Sequence, residues 1–222
     1  MKFQRGSIFR PEKEYYKYAG IILIIGAIQF FLAITLAEAL FPGYSVSKNS
    51  LSHLGGSIPI VEPSAMIFNA SVIIFGLLGI LAVYLILKSG GCRLFSACLL
   101  ISSLGAIGVG LLPEYTGSIH LFFAFTTFLF GSLATIFSYR LGLNIPMIIV
   151  SMVLGIGSLI AVILVFVYGL ASASNPLVAY LGMGGNERII AYPILLYITA
   201  LGGYLTSRGK DWVRIRFTSG YF

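Results

Sequence analysis

Six stretches of this sequence, at about 15–40, 64–87, 92–112, 118–139, 146–170 and 187–206, are long, apolar and almost free of charge. A run of about 20 apolar residues is what a helix needs to cross a hydrocarbon core about 30 Å thick. No water is present there to satisfy backbone N–H and C=O groups, so a single chain segment crosses as a helix or as part of a closed barrel. Charged residues make up 9% of the chain, against about 25% in a soluble domain, and mean hydropathy is +0.99. The sequence therefore predicts an all-α protein, a six-transmembrane-helix bundle. The connections are too short to build a soluble domain, so residues 1–222 are expected to form a single integral-membrane domain.

The first apolar run is longer than the about 7–15 residues of a signal h-region and follows a long polar leader. It is expected to remain as an anchor, although Ala37-Glu38-Ala39 resembles a small-x-small cleavage site. Lys and Arg are retained on the cytoplasmic side of short loops. Lys2, Arg5, Arg10, Lys13, Lys17, Lys88, Arg93, Arg140, Arg208, Lys210, Arg214 and Arg216 fall on one side, and only Lys48 and Arg188 on the other. This split predicts a multi-pass protein of the cell membrane with N- and C-termini cytoplasmic. The formal charge of +7 then follows from topology and suits an anionic inner leaflet, so membrane lipids are the expected partners and nucleic acid is not. Segment 212–217, WVRIRF, alternates apolar and basic residues and is expected to lie on that surface. Cys92 and Cys98, six residues apart, are rotated about 240° on one helix and should not pair.

Acids and histidines show the opposite bias. Glu38, Glu62, Glu114 and Glu187 lie at or beyond the outer ends of spans, together with His53 and His120. Three segments carry this constellation. The first extracytoplasmic loop, 41–63, is long for a compact bundle and is expected to cap the outer face. The turn PEYTGSIH keeps Glu114 and His120 near each other in the chain, and GMGGNERIIAYP puts Glu187 and Arg188 at the head of the last span, with Asn186 or a neighbour as its cap. A guanidinium entering a bundle needs a carboxylate; Glu38, Glu62 and Glu114 are the candidates, because adjacent helix residues such as Glu187 do not face it. Pro193 removes a backbone donor and is expected to bend or interrupt the last helix beside a cavity.

These residue types bear on several chemistries. His53, Glu114 and His120 form a possible metal set by count, without the local spacing of a helical zinc motif. Ser50 or Ser52 with His120 lacks the G-x-S-x-G elbow of a serine hydrolase. Outer acids outnumber outer cations, which suits a cation, a proton relay or a basic partner better than phosphate. Gln29 is the one strongly polar side chain near the middle of a span, and the inner half has no histidine, which argues against a pump and a transmembrane haem pair. Small residues, Ser102, Ser103, Gly105, Ala106, Gly108, Gly110, Gly155, Gly157 and Ser158, predict close helix contacts.

Three stretches taken together, NSLSHLGG, GVGLLPEYTGSIH and GGNERIIAYPILLY, resemble the recurring pattern of domain-of-unknown-function family 998, small multi-pass membrane proteins of archaea and bacteria. The resemblance covers almost the whole chain. It points to Asn49, Ser50, Ser52, Leu54, Gly55, Pro113, Glu114, His120, Glu187 and Arg188, with departures at Tyr197, where a Trp is expected, and at His53, where an acid is expected. It implies a six-span fold and no assigned activity, so the cofactor stays unknown.

The leading expectation is a binding or scaffolding protein. Its outer polar cluster, Asn49, Ser50, Ser52, His53, Glu114, His120, Glu187 and Arg188, would tie three loops together and receive a small ligand or lipid headgroup. The alternatives are a metal-dependent enzyme acting on lipid-soluble substrates at the outer leaflet, through His53, Glu114 and His120, and an accessory subunit of a larger membrane protein complex.

Overall fold

The computed structural model describes residues 11–208; Lys2, Arg5, Arg10 and the WVRIRF segment lie outside the described residues. Among the described residues seven α-helices form: α1 (Pro11–Ala39), α2 (His53–Gly56), α3 (Ser64–Lys88), α4 (Arg93–Leu111), α5 (Ser118–Phe137), α6 (Ile145–Tyr168) and α7 (Pro176–Arg208). Single 3-10 turns occupy Glu114–Thr116 and Ser138–Leu141, and the described residues include no strand. All but α2 are long and apolar enough to cross a membrane, six in number. The protein is a multi-pass membrane protein.

The helices start and stop for local reasons. Asn144 caps α6 by accepting the Met147 N–H at 3.1 Å, and Pro146 fills a first-turn position where no N–H is needed. At the other end of α6, Gly169 takes a φ of 91°, a conformation that costs other residues a steric clash. Within the spans, Thr126, Thr127, Ser132 and Thr199 each donate to the carbonyl four residues earlier, so their hydroxyls are satisfied without water.

Each spanning helix packs on the next, and α7 returns to α1. Gly20 lies against Gly202, while Glu38 meets Arg188, so α1 and α7 run antiparallel. The start of α1 and the end of α7 share one end of the bundle, called here the terminal end; residues 40–63 close the other, the capped end. Because α5 also touches α7 directly, α6 sits outside a ring of α1, α3, α4, α5 and α7. Leu51 and Leu54 of the cap are buried in the core.

Small residues set the helix spacing. A Cβ on Gly76 would stand 2.5 Å from the Ser103 carbonyl, and one on Gly105 2.9 Å from the Thr127 backbone nitrogen. Backbones that close gain dispersion contacts that lipid cannot replace. Gly155 plays the same part between α6 and α5, but Gly157 meets no atom within 4 Å, so it is not a packing residue as its spacing suggested.

The last helix also corrects the sequence reading. Residues 183–186 are helical rather than loop, and the break falls at Gly182 (φ 75°, ψ 172°) rather than at Pro193. A Cβ on Gly182 would lie 2.2 Å from the Ser47 carbonyl, so the capping loop itself requires glycine there. Pro193 sits inside continuous helix.

Gly76→Val should therefore separate α3 from α4 and lower the thermal midpoint of the purified protein by several degrees, whereas Gly157→Ala should leave it within about one degree, since exposed substitutions away from contacts stay within about 0.5 kcal/mol.

Candidate functional site at the capped end

Arg188 organises this end. It is 6% exposed, and its guanidinium is held by oxygen on several sides. Nη1 donates to the carbonyls of Val46 (2.9 Å), Asn49 (3.2 Å) and Gly184 (2.9 Å). Nη2 donates to the Glu38 carboxylate and to the Tyr44 hydroxyl at 2.8 Å. A buried cation is tolerated only with such pairing. Of the three carboxylates expected to compete for it, the structure selects Glu38; Glu62 is exposed and accepts the Met66 N–H at 3.2 Å at the start of α3.

Tyr44 was not singled out by the sequence, yet it completes the knot. Its hydroxyl donates to the Ser50 carbonyl at 2.7 Å while accepting from Arg188. Burial pushes its pKa well above the ordinary phenol value, more than the neighbouring Arg188 lowers it, so it stays a donor. Asn49 shapes the same loop: its Oδ1 accepts the Ser45 N–H at 2.9 Å. The glycines of α7 make room, since a Cβ on Gly184 would lie 2.0 Å from the Asn49 carbonyl.

Two carboxylates grip the segment that follows. Glu187 accepts the Leu51 N–H at 2.6 Å, which places it in the second turn after the Gly182 break, not in a first turn where it would answer a helix dipole. Asn186 is buried inside the helix with both amide atoms unpartnered, so it is no cap. Glu114 accepts from the Ser50 hydroxyl at 3.1 Å and from His53 Nδ1 at 3.0 Å. Ser52 donates to Ser50 at 3.3 Å, and Ser50 accepts the His53 N–H at 3.1 Å. Gly56 lets the Glu114 backbone approach, since a Cβ there would lie 2.3 Å from its nitrogen.

His120 stands apart from this hydrogen-bonded group. It makes no bond to Glu114; its Nδ1 donates to the Leu112 carbonyl at 2.7 Å, so in the neutral ring the lone pair lies on Nε2. That Nε2 is buried and has no partner among the described residues. Among the described residues no three His, Cys, Asp or Glu side chains gather as metal ligands: His53 and Glu114 pair, and His120 faces a different space.

That space is a cavity of about 70 Å³, counted as room for the centres of water molecules, inside the helical ring. Ser52, His120 and Glu187 are among its lining residues, and the remainder is mainly apolar, from Phe30 and Phe68 down to Leu99 and Ile198. From Glu187 to Ile198 the depth is roughly 16 Å at 1.5 Å per residue. Holding one water takes about 10–15 Å³ by the same measure, so the cavity exceeds ordinary packing error. Of the candidate residues, Ser52, His120 and Glu187 line it, whereas Asn49, Ser50, His53, Glu114 and Arg188 hold the cap around them.

A family model described as "Protein of unknown function (DUF998)" matches residues 24–204. No curated protein and no solved structure matches the chain.

Arg188→Met, which leaves Glu38 unpaired, should lower stability by about 3–5 kcal/mol, and in a double-mutant cycle with Glu38→Gln the two losses should fall short of additive by at least about 1 kcal/mol. Chemical denaturation of the four proteins in one detergent measures this; additive losses would mean that Glu38 and Arg188 act independently.

Proposed function

The chain belongs to the DUF998 family of proteins of unknown function, and we propose that it is a membrane binding protein that receives a lipid-soluble ligand in the cavity beneath its cap. The observation that carries this reading is a mainly apolar cavity in the helical ring with three polar side chains among its lining, Ser52, His120 and Glu187, one of them with an unpartnered buried nitrogen. Ligand sites of this kind are apolar chambers with a few placed polar groups that fix orientation. The Arg188 knot serves as scaffold: it holds loop 44–50 across the bundle so that Leu51 and Ser52 form one wall.

Binding is favoured over metal-dependent catalysis because His53 and Glu114 supply two donors and His120 is directed elsewhere. In this reading the capped end faces the outside, which the distribution of Lys and Arg favours, and the ligand is drawn from the outer leaflet. The polar cluster is in this reading an extracytoplasmic site.

Two measurements test the reading. Native mass spectrometry of protein released from lipid nanodiscs should show a stoichiometric lipid-soluble adduct, lost in Ala191→Phe, which fills the cavity from α7; an adduct that survives this variant lies elsewhere and defeats the proposal. For sidedness, exposed Lys48 and Lys88 are replaced singly by Cys in a protein lacking Cys92 and Cys98. A membrane-impermeant maleimide should label position 48 and spare position 88 in intact cells; the reverse pattern would place the cap in the cytoplasm.

A further inference from the structure

We infer that the ligand is a single-chain amphiphile with a neutral hydroxyl head, a long-chain alcohol in chemical class, its hydroxyl donating to His120 Nε2 and its tail lying along the ring axis. This rests on the binding reading above and adds the ligand's shape and head chemistry.

The shape follows from volume and depth. About 70 Å³ spread over roughly 16 Å of helix rise is the width of one methylene chain and too narrow for paired acyl chains or fused rings. A second cavity of about 10 Å³ shares Leu23, Leu99 and Ile198 with the lining of the first and lies past it toward the terminal end, beside Phe95 and Leu201. Glycine and alanine, at Gly26, Gly79, Ala106, Ala124 and Ala191, leave the room that larger side chains would fill.

The head follows from the polar lining. His120 is 2% exposed; its Nδ1 proton is committed to the Leu112 carbonyl, so Nε2 offers a lone pair and asks for a donor. Ser52 gives its own proton to Ser50 and keeps lone pairs to spare. Glu187 adds a carboxylate already bonded to the Leu51 N–H. The lining contains no Lys or Arg among the described residues, because Arg188 is turned toward Glu38 and Tyr44. A carboxylate or phosphate head would bury its charge in this chamber with no cation to answer it. An ammonium would have to give up its hydration shell for a mainly apolar chamber, a cost that a neutral hydroxyl largely escapes. A hydroxyl supplies the missing donor without charge.

The test uses the full chain in phosphatidylcholine nanodiscs. A diazirine-bearing dodecanol is photocrosslinked, the adduct is mapped by peptide mass spectrometry, and unlabelled dodecanol, dodecanoate and dodecylamine compete. Crosslinks should fall on ring residues such as Ala106 and Ala191, and dodecanol should compete about tenfold better than either charged analogue, the value of one buried hydrogen bond at its upper range. His120→Asn keeps a donor near the Leu112 carbonyl but deletes Nε2. It should erase the preference for the alcohol, and Ala191→Phe should abolish the crosslink. If dodecanoate or dodecylamine competes best, or His120→Asn keeps the full preference, the hydroxyl assignment is wrong although the cavity still binds chains. If no chain crosslinks within the ring, both this inference and the binding reading fall.

Discussion

A guanidinium withdrawn from water governs the architecture of the capped end. Arg188 enters the bundle nearly two turns past the Gly182 break, where an unanswered charge would be ruinous. Its partners come from four places: the Glu38 carboxylate at the end of α1, the Tyr44 hydroxyl, carbonyls of the loop that α1 leads into, and the Gly184 carbonyl of α7 itself. The loop cannot leave without stranding the cation. The cation in turn cannot be satisfied unless α1, α7 and the loop are assembled, so the three are one cooperative unit.

The rest of the end is built against that unit. With 44–50 fixed, the next residues turn inward: Ser50 and Leu51 become buried, Glu187 takes the Leu51 N–H, and Glu114 reaches across from the α4–α5 turn to Ser50 and His53. Two carboxylates thus act mainly as acceptors for backbone and side-chain donors at the membrane end, a use of acids that a polar cluster in a sequence does not distinguish from catalysis. His120 is the exception. Its second nitrogen has no partner among the described residues, and it lines a hollow that five helices and the cap enclose.

Much of this fold was legible beforehand because lipid imposes a simple rule on composition. The spans were found within a few residues, apart from the last, whose helix begins before the predicted 187 because glycine, read as loop, here serves close contact with Ser47 and Asn49. Glu38, Glu62 and Glu114 were all named as partners for Arg188, but choosing among them needs the distance between elements. Tyr44 escaped notice, since a lone aromatic in a loop carries no local signal. The pair Glu114 and His120, six residues apart in the chain, diverged because each found a nearer partner, Ser50 with His53 in one case and the Leu112 carbonyl in the other.

The sequence alone determined that this is an all-helical membrane chain, how often it can cross, and which polar residues collect near one set of span ends. These depend on the cost of exposing peptide groups and charges to hydrocarbon, which each segment meets by itself. Only the tertiary structure decided which carboxylate answers Arg188, that α6 stands outside the ring, and that Ser52, His120 and Glu187 share a cavity while their neighbours hold the cap. Those outcomes depend on contacts between residues more than a hundred positions apart, for which local composition and periodicity carry no information.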